Sequence, residues 1–391
     1  MLRVYRYLLR PSRTQAAAMF RSLDLLRELY NGALQERRDA WRCQGHRVSA
    51  YDQMRQLKAI REERPEFAGI HVHLLQDAIT RVDRSFAGFF RRCKNRSGKP
   101  GYPRFKGRGR YRTFTFKDAA HRNGAALVAG GNRVRLTGIG NVRFRQHRPM
   151  EGRTKQVSVT LSGDGRWYVA FVCDQVPIHP LPPTGKEVGI DLGITCFAAL
   201  SDGPPGIDNP RPMEKAQWQL ARSQRRVSRR KRGSSRRKKA VALLAQRHDR
   251  IAAIRRDHHH NAALLLVRNY DRIGIEDLEV RGLARGMLAK QVHDAGWGQF
   301  TTILRAKAES AGREVVAVDP RGTSQECSAC GREVNKSLAV RVHNCPYCGL
   351  IVDRDINAAR NILQRMGRIR RGEVADVRLL QDPRSPRLAT G

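Results

Sequence analysis

Apolar residues recur along this chain with a period that switches, and each switch predicts an element. In residues 1–10, Leu2 and Val4 flank Arg3 while Tyr5 and Tyr7 flank Arg6, a period of two whose phase slips once; this predicts a strand, stopped by Pro11. From Ser12 to about Trp41, Met19, Leu23, Leu26, Tyr30 and Leu34 return at helical spacing, with Ser12 or Thr14 as the N-cap. Tyr51, Met54, Leu57 and Ile60 mark a shorter helix broken near Pro65. Val72 to about Cys93 carries Leu75, Ile79, Val82, Phe86 and Phe89 on one stripe. The period returns to two between Thr113 and about Val176, where Val134/Leu136, Val142/Phe144, Val157/Val159/Leu161 and Val169/Phe171/Cys173 alternate and Ser162-Gly163-Asp164-Gly165 reads as a hairpin turn. These elements predict a small antiparallel barrel or sheet that includes the first strand and has a helical bundle inserted in it.

Pro177, Pro180, Pro182 and Pro183 read as a linker, and beyond them strands alternate with helices. Apolar strands are predicted around Glu187–Asp191, with a return to Gly203, then at Asp271–Leu278 and Glu314–Pro320. Residues 211–270 and Gly298–Ala311 read as helical, so this half is α/β. Beyond about Gly367 periodicity is lost, and 369–391 reads as a disordered tail.

Charge changes this picture more than hydrophobicity does. Of 391 residues, 75 are Lys or Arg and 36 Asp or Glu, a formal charge of +39 that self-repels without a polyanion, so nucleic acid is the expected partner. No apolar run approaches the ~18 residues a membrane span needs, and the first residues lack a secretory pattern, which predicts a cytoplasmic protein with no membrane partner. Arg91, Arg92 and Lys94 lead into a Gly/Pro-rich stretch where Tyr102, Arg104, Phe105 and Lys106 mix aromatics with cations. That is a solvated basic loop or one that tracks phosphates and stacks bases. Between Ala221 and Lys239 there are eleven Lys/Arg and no acid; Arg225, Arg226, Arg229, Arg230, Lys231, Arg236 and Arg237 predict a helical hairpin facing nucleic acid. The pairs His71/His73 and the run His258–His260 read as packing or surface residues, since adjacent helical side chains diverge by about 100° and cannot easily share an ion.

Two further patterns carry chemistry. Cys327-x-x-Cys330 and Cys345-x-x-Cys348, fourteen residues apart and each followed by Gly, let four thiolates converge on one tetrahedral cation; zinc fits better than a disulfide pair. The remaining cysteines, Cys43, Cys93, Cys173 and Cys196, read as scattered thiols. Asp191 lies on an apolar strand, where a carboxylate is expensive to bury without a cation or hydrogen bonds, unless it faces water at the strand end. Glu276 ends a second strand and Asp355 enters a helix. Three acids from separate elements at one end of a sheet tolerate each other when divalent cations sit between them. Two Mg²⁺ ions about 3.5–4 Å apart suit phosphodiester hydrolysis.

Ile190-Asp-Leu-Gly193, Ile275-Glu-Asp-Leu278, Thr323-Ser-Gln-x-Cys-Ser-x-Cys-Gly331, Cys345-x-x-Cys-Gly349 and Asp353-Arg-Asp-x-Asn-Ala-Ala359 are together similar to the TnpB family of transposon-encoded proteins, relatives of the type V CRISPR effectors. Arg91-Arg-x-Lys94 and Gly101-Tyr-Pro-Arg-Phe-Lys106 resemble the same family's N-terminal half. The resemblance implies an RNase H-like (RuvC) nuclease at 186–326 and 349–368, with a zinc-ribbon insertion at 327–348 that binds the target. It also implies a wedge β-barrel of oligonucleotide-binding type at 1–10 and 113–180, and a helical recognition lobe at 11–112. Asp191, Glu276 and Asp355 match the catalytic, magnesium-holding acids; Asp353 and Asp277 are the nearest rivals and read better as neighbours that tune or hydrogen-bond. A guide RNA from the transposon end, a double-stranded target DNA cut next to a short motif, and a nucleoid-associated place in a prokaryotic cytoplasm are likewise implied. A guided repressor with a silent site and an accessory transposition protein are the competing readings.

Overall fold

The computed structural model describes residues 1–95, 100–119, 124–127, 131–337 and 339–369. The expected tail lies outside the described residues from 370 onward. Two compact units are present, Met1–Pro177 and a second starting at Ile178.

In the first unit, β1 (Arg3–Arg10) leads into α1 (Arg13–Gln44), α2 (Ala50–Arg55), α3 (Leu57–Glu63), α4 (Pro65–Ala68) and α5 (Val72–Lys94). Then come β2 (Thr113–Phe116), β3 (Ala125–Leu127), β4 (Arg133–Leu136), β5 (Gly140–Arg145), β6 (Arg153–Leu161) and β7 (Trp167–Asp174). Of the two N-cap candidates Ser12 is used, in a capping box: its Oγ accepts from Gln15 N and Gln15 Oε1 accepts from Ser12 N. α1 runs three residues past the expected end, and Gly45, at φ 63°, caps and stops it.

The strands form one antiparallel sheet in the order β2-β6-β7-β1-β5-β4-β3, with β1 in the middle. The phase slip in residues 1–10 resolves simply: Tyr5, Tyr7 and Leu9 point into the core while Val4, Arg6 and Arg10 face out. The inward side chains meet Val157, Val159, Val169 and Phe171 and are covered by the α1 and α5 stripes. Among the described residues the end strands β2 and β3 are not paired with each other, so of the barrel or sheet expected it is an open sheet that forms. A helix covers the β2 end instead: Arg81 of α5 reaches the Thr115 hydroxyl and Lys117 donates to Thr80, which protects an edge without closure.

The second unit holds β8 (Glu187–Asp191), β9 (Cys196–Leu200), β10 (Ile207–Asp208), α6 (Pro212–Ser228), α7 (Ser235–Asn269) and β11 (Arg272–Glu276). It continues with α8 (Val280–Leu283), α9 (Ala289–Ala295), α10 (Trp297–Ala311), β12 (Glu314–Val318), β13 (Val342–Asn344), β14 (Ile351–Asp353) and α11 (Arg354–Gly367). Its main sheet runs β10-β9-β8-β11-β12, parallel across β8, β11 and β12. The parallel strands are buried on both faces, which explains their unbroken apolar runs. Val188, Ile190, Ile273 and Ile275 share a cluster with Leu266, Phe300 and Leu304, and Val316 and Val318 pack with Ile362 and Met366 of α11. At Gly189 the helix backbone comes so close that a Cβ would stand 2.1 Å from the Ala359 carbonyl oxygen.

The expected helical stretch is two helices, α6 and α7, divided before Ser234, whose Oγ caps α7 at Arg237 N. The proline-rich stretch is no free linker. His179 and Leu181 donate backbone N–H groups to Ser310 and Ala311, and Arg313 binds the Pro182 carbonyl.

Candidate active site

The four cysteines converge. Cys327 Sγ and Cys348 Sγ are 3.6 Å apart, Cys330 Sγ and Cys345 Sγ also 3.6 Å, and all four sulfurs lie within 4.8 Å of one another. A tetrahedral ion with bonds of ~2.3 Å separates its sulfurs by ~3.8 Å, so the cage has the size of a thiolate-bound tetrahedral cation. Each knuckle repeats the same backbone turn: Gly331 N donates to Cys327 O and Gly349 N to Cys345 O, both 2.9 Å, with both glycines at positive φ. Burial pushes the Cys345 thiol up, but the N–H groups of Tyr347 and Cys348 aimed at it win and hold it at about 6. No described cysteine is in a disulfide, and Cys43, Cys93, Cys173 and Cys196 stand apart from the cluster.

One face of α11 holds this cluster. Asn357 accepts from Ser328 N and donates to Glu326 O, Asn361 donates to the carbonyls of Thr323 and Glu326, and Gln364 donates to Ser328 O. Both asparagines are almost fully buried, so their polarity is spent on fixing the strap that leads to the first knuckle.

The acids adjoin the N-terminal turn of the same helix. Asp191 ends β8 and Glu276 ends the neighbouring parallel strand β11, where Ile190 and Ile275 are in register. Asp355 is in the first turn of α11, close enough to the loop after Asp191 that a Cβ on Gly193 would be 3.9 Å from its Oδ2. Burial raises the Asp191 carboxyl well above the usual range, and the charges of Glu276 and Asp355 raise it further against the opposing pull of Arg354. Burial also raises Glu276, offset by the Thr323 hydroxyl. Asp355 is raised by burial and by Asp353, offset by Arg341 and Arg354. Asp353 is the N-cap of α11, its Oδ1 accepting from Asp355 N and Ile356 N, while Asp277 is exposed. Among the described residues the four cysteines are the group of potential metal ligands drawn within 4.8 Å of one another, while Glu276 and Asp355 are near enough to Asp191 to act on its charge. Burial raises all three carboxyls, and such a set could hold divalent cations.

The histidine readings hold. His71 Nδ1 caps α5 at His73 N, and His259 is fully buried between Phe197 and Phe300, its Nε2 donating to Ala295 O; burial lowers it to about 4.

The basic positions are distributed over both units. Arg91 and Lys94 are exposed on the last turn of α5, where Arg92 binds the Gly101 carbonyl. Tyr102 packs edge-on against Phe86 and Phe89 and keeps 44% of its surface open; Phe105 is 46% exposed under the Arg38 guanidinium. Arg104 is exposed, and the Lys106 backbone is clasped by the Asn31 amide. On the α6–α7 hairpin Arg225, Arg226, Arg229, Lys231 and Arg236 are exposed, Arg230 and Arg237 half-buried.

Sequence reasoning missed three features. The Thr323 hydroxyl is bonded to Glu276, Arg341 pairs with Asp355 at 3.7 Å while also reaching the Thr195 hydroxyl, and the outer sheet face carries exposed Arg10, Arg143 and Arg133 directly opposite one another across three strands, with Arg145 beside them. The last was readable in the alternation of Arg-Val-Arg in β4 and Arg-Phe-Arg in β5; the first two need the fold.

Comparison with known proteins adds the context. Profiles of known families match residues 1–46 as a helix-turn-helix domain, 170–287 as a probable transposase, and 297–362 as a Cas12f1-like TNB domain. Residues 1–46 here form a strand and one 32-residue helix. A Streptomyces pristinaespiralis protein named "Putative RNA-guided DNA endonuclease" is 35% identical over 371 residues, which span 92% of this chain and 88% of that protein. Escherichia coli K12 InsQ, which carries the same name, is 29% identical over 382 residues, covering 93% and 92%. Among solved structures, the Cas12f1 protein of a complex with sgRNA and target DNA superposes with a TM-score of 0.54 at 15% identity, over 89% of this chain and 82% of that one. The Cas_phi3 mini-RNA-guided endonuclease gives 0.50 at 10% identity, over 93% and 92%. These structural likenesses speak to the fold alone. The extent of the shared sequence goes further: this chain belongs to the TnpB family of RNA-guided DNA endonucleases.

Proposed function

We infer that the chain is a transposon-encoded, RNA-guided DNA endonuclease whose cutting centre is Asp191, Glu276 and Asp355. The observation that carries this is the raised state of Asp191, caused after burial by the two other acids, on adjoining elements of one sheet end. The three carboxylates hold divalent cations, in our reading two Mg²⁺, while Thr323 fixes Glu276 and the Asp353 cap fixes the turn carrying Asp355. Bound divalent cations supply an activated water and charge stabilisation for the departing oxygen. Arg341, at the mouth beside Asp355, is placed to receive a phosphate oxygen.

Cys327, Cys330, Cys345 and Cys348 hold a structural zinc in this reading. Their role is to contribute folding free energy and keep α11 in place. We assign residues 186–326 and 349–368 to a RuvC-like RNase H fold, 327–348 to the zinc ribbon, 1–10 and 113–180 to the wedge, and 11–112 to the recognition lobe. Guide RNA supplies sequence discrimination by base pairing and the protein chiefly neutralises backbones, which accounts for the charge of +39. The α5 end, the 100–106 stretch, the α6–α7 hairpin and the outer arginine row are the contact surfaces we assign; like charges directly opposite across strands are unfavourable until a polyanion lies on them.

The test is the Asp191→Ala variant assembled with the RNA that co-purifies with the wild type. RNA and target binding should persist while plasmid cleavage in Mg²⁺ disappears; equal cleavage by the variant refutes the assignment.

A further inference from the structure

Thr323 lies on the strap between β12 and the first cysteine knuckle, four residues before Cys327, and is 3% exposed. Its Oγ1 is 2.5 Å from Glu276 Oε1, in the range of charge-assisted O–H···O⁻ bonds, and 3.0 Å from the Pro320 carbonyl oxygen. A hydroxyl has one proton. Were Thr323 only a turn residue, the carbonyl three positions back would satisfy it locally. The shorter contact goes instead to a carboxylate 47 residues away in sequence. Glu276 Oε2, by contrast, has no hydrogen bond or ion pair among the described residues.

The strap itself is not free to follow Glu276. Asn361 donates to the Thr323 carbonyl at 2.8 Å and to the Glu326 carbonyl at 2.7 Å, and Asn357 and Gln364 grip Glu326 and Ser328 beside Cys327. Thr323 is therefore held from α11 on one side and from the cysteine cluster on the other. A rigidly held donor can choose one carboxylate oxygen and leave the second directed at a cation; partners of this kind behind metal-binding carboxylates are worth 10–100-fold in affinity, as an order of magnitude.

We propose that Thr323 is a positioning residue for the acid site: its hydroxyl fixes Glu276 Oε1 so that Oε2 is presented to a divalent cation, and the strap makes this presentation depend on the cysteine cluster. This rests on the acid site binding cations, as inferred above. The experiment is Mn²⁺ binding to the zinc-loaded full chain, followed by titration calorimetry in wild type, Thr323→Val, Thr323→Ser and Glu276→Gln. Thr323→Val should weaken Mn²⁺ about 10-fold or more. Thr323→Ser, which keeps the hydroxyl, should stay close to wild type, and adding Thr323→Val to Glu276→Gln should cost nothing further. Should the valine variant fold poorly, Thr323→Ala offers the same comparison without a methyl facing the carboxylate. If Glu276→Gln weakens Mn²⁺ and Thr323→Val does not, or if serine fails to rescue, the proposal is wrong and the acid site stands. If Glu276→Gln itself leaves Mn²⁺ binding unchanged, the acid-site reading falls and this proposal with it.

Discussion

The cysteine and acid clusters both adjoin α11, and they are built in opposite ways. The cysteines come from two copies of one turn, with sulfurs already at the spacing of a tetrahedral cage and backbone N–H groups turned toward them. The acids come from strand ends and a helix start, all three are raised by burial, and Asp191 is raised further by Glu276 and Asp355. A closed cage suits an ion that stays; mutually repelling carboxyls suit ions that must also meet a substrate. Structural and catalytic metal sites differ in just this openness.

The largest effect expected from breaking the contrast is at the acids. Asp191→Ala should bring cleavage to background with thermal stability unchanged or raised, since a buried, raised carboxyl is destabilising without its cation. Differential scanning fluorimetry beside a plasmid assay checks both halves. Breaking the cage should do the reverse to stability: Cys327→Ser or chelator treatment should lower the unfolding midpoint by roughly 5 °C or more, with zinc released in proportion.

Midway in size is a control remote from both clusters. Burial lowers His259 to about 4, below its ordinary value of 6.5, so its neutral form is the one the fold accepts. The stability it permits is present above pH 6.5 and is lost as pH falls from 6.5 toward 4, by roughly 3 kcal/mol in all. His259→Phe should flatten that part of a stability–pH curve measured by denaturant unfolding, and leave metal binding alone. Asn361→Ala, which abandons two buried carbonyls on the strap, should cost ~1–3 kcal/mol and reduce cleavage without affecting RNA binding. The smallest effect is on the sheet: Arg143→Ala should lower the slope of log affinity for RNA against log salt by about 1, read by filter binding.

Much of this contrast was legible in the sequence. Cys-x-x-Cys knuckles are local, so spacing alone conveyed their geometry, and the parallel strands announced themselves through apolar runs ending in Asp191 and Glu276. The stripe Met19–Leu23–Leu26–Tyr30–Leu34 is buried as periodicity required. What escaped is non-local. Thr323 meets Glu276 only because β12 pairs with β11, and Arg341 reaches Asp355 only because β13 pairs with β14, with Val342 opposite Asp353. The alternation left barrel or sheet open, because it counts strands without revealing whether the end strands meet.

The central position of β1 has a consequence for synthesis on the ribosome. This segment leaves the exit tunnel well before its hydrogen-bonding neighbours β5 and β7, and β7 ends at Asp174. Tyr5, Tyr7 and Leu9 therefore lack the strands that flank them until β5 and β7 have been translated, and a nascent fragment stopped before Trp167 would be a client for chaperones rather than a folded intermediate.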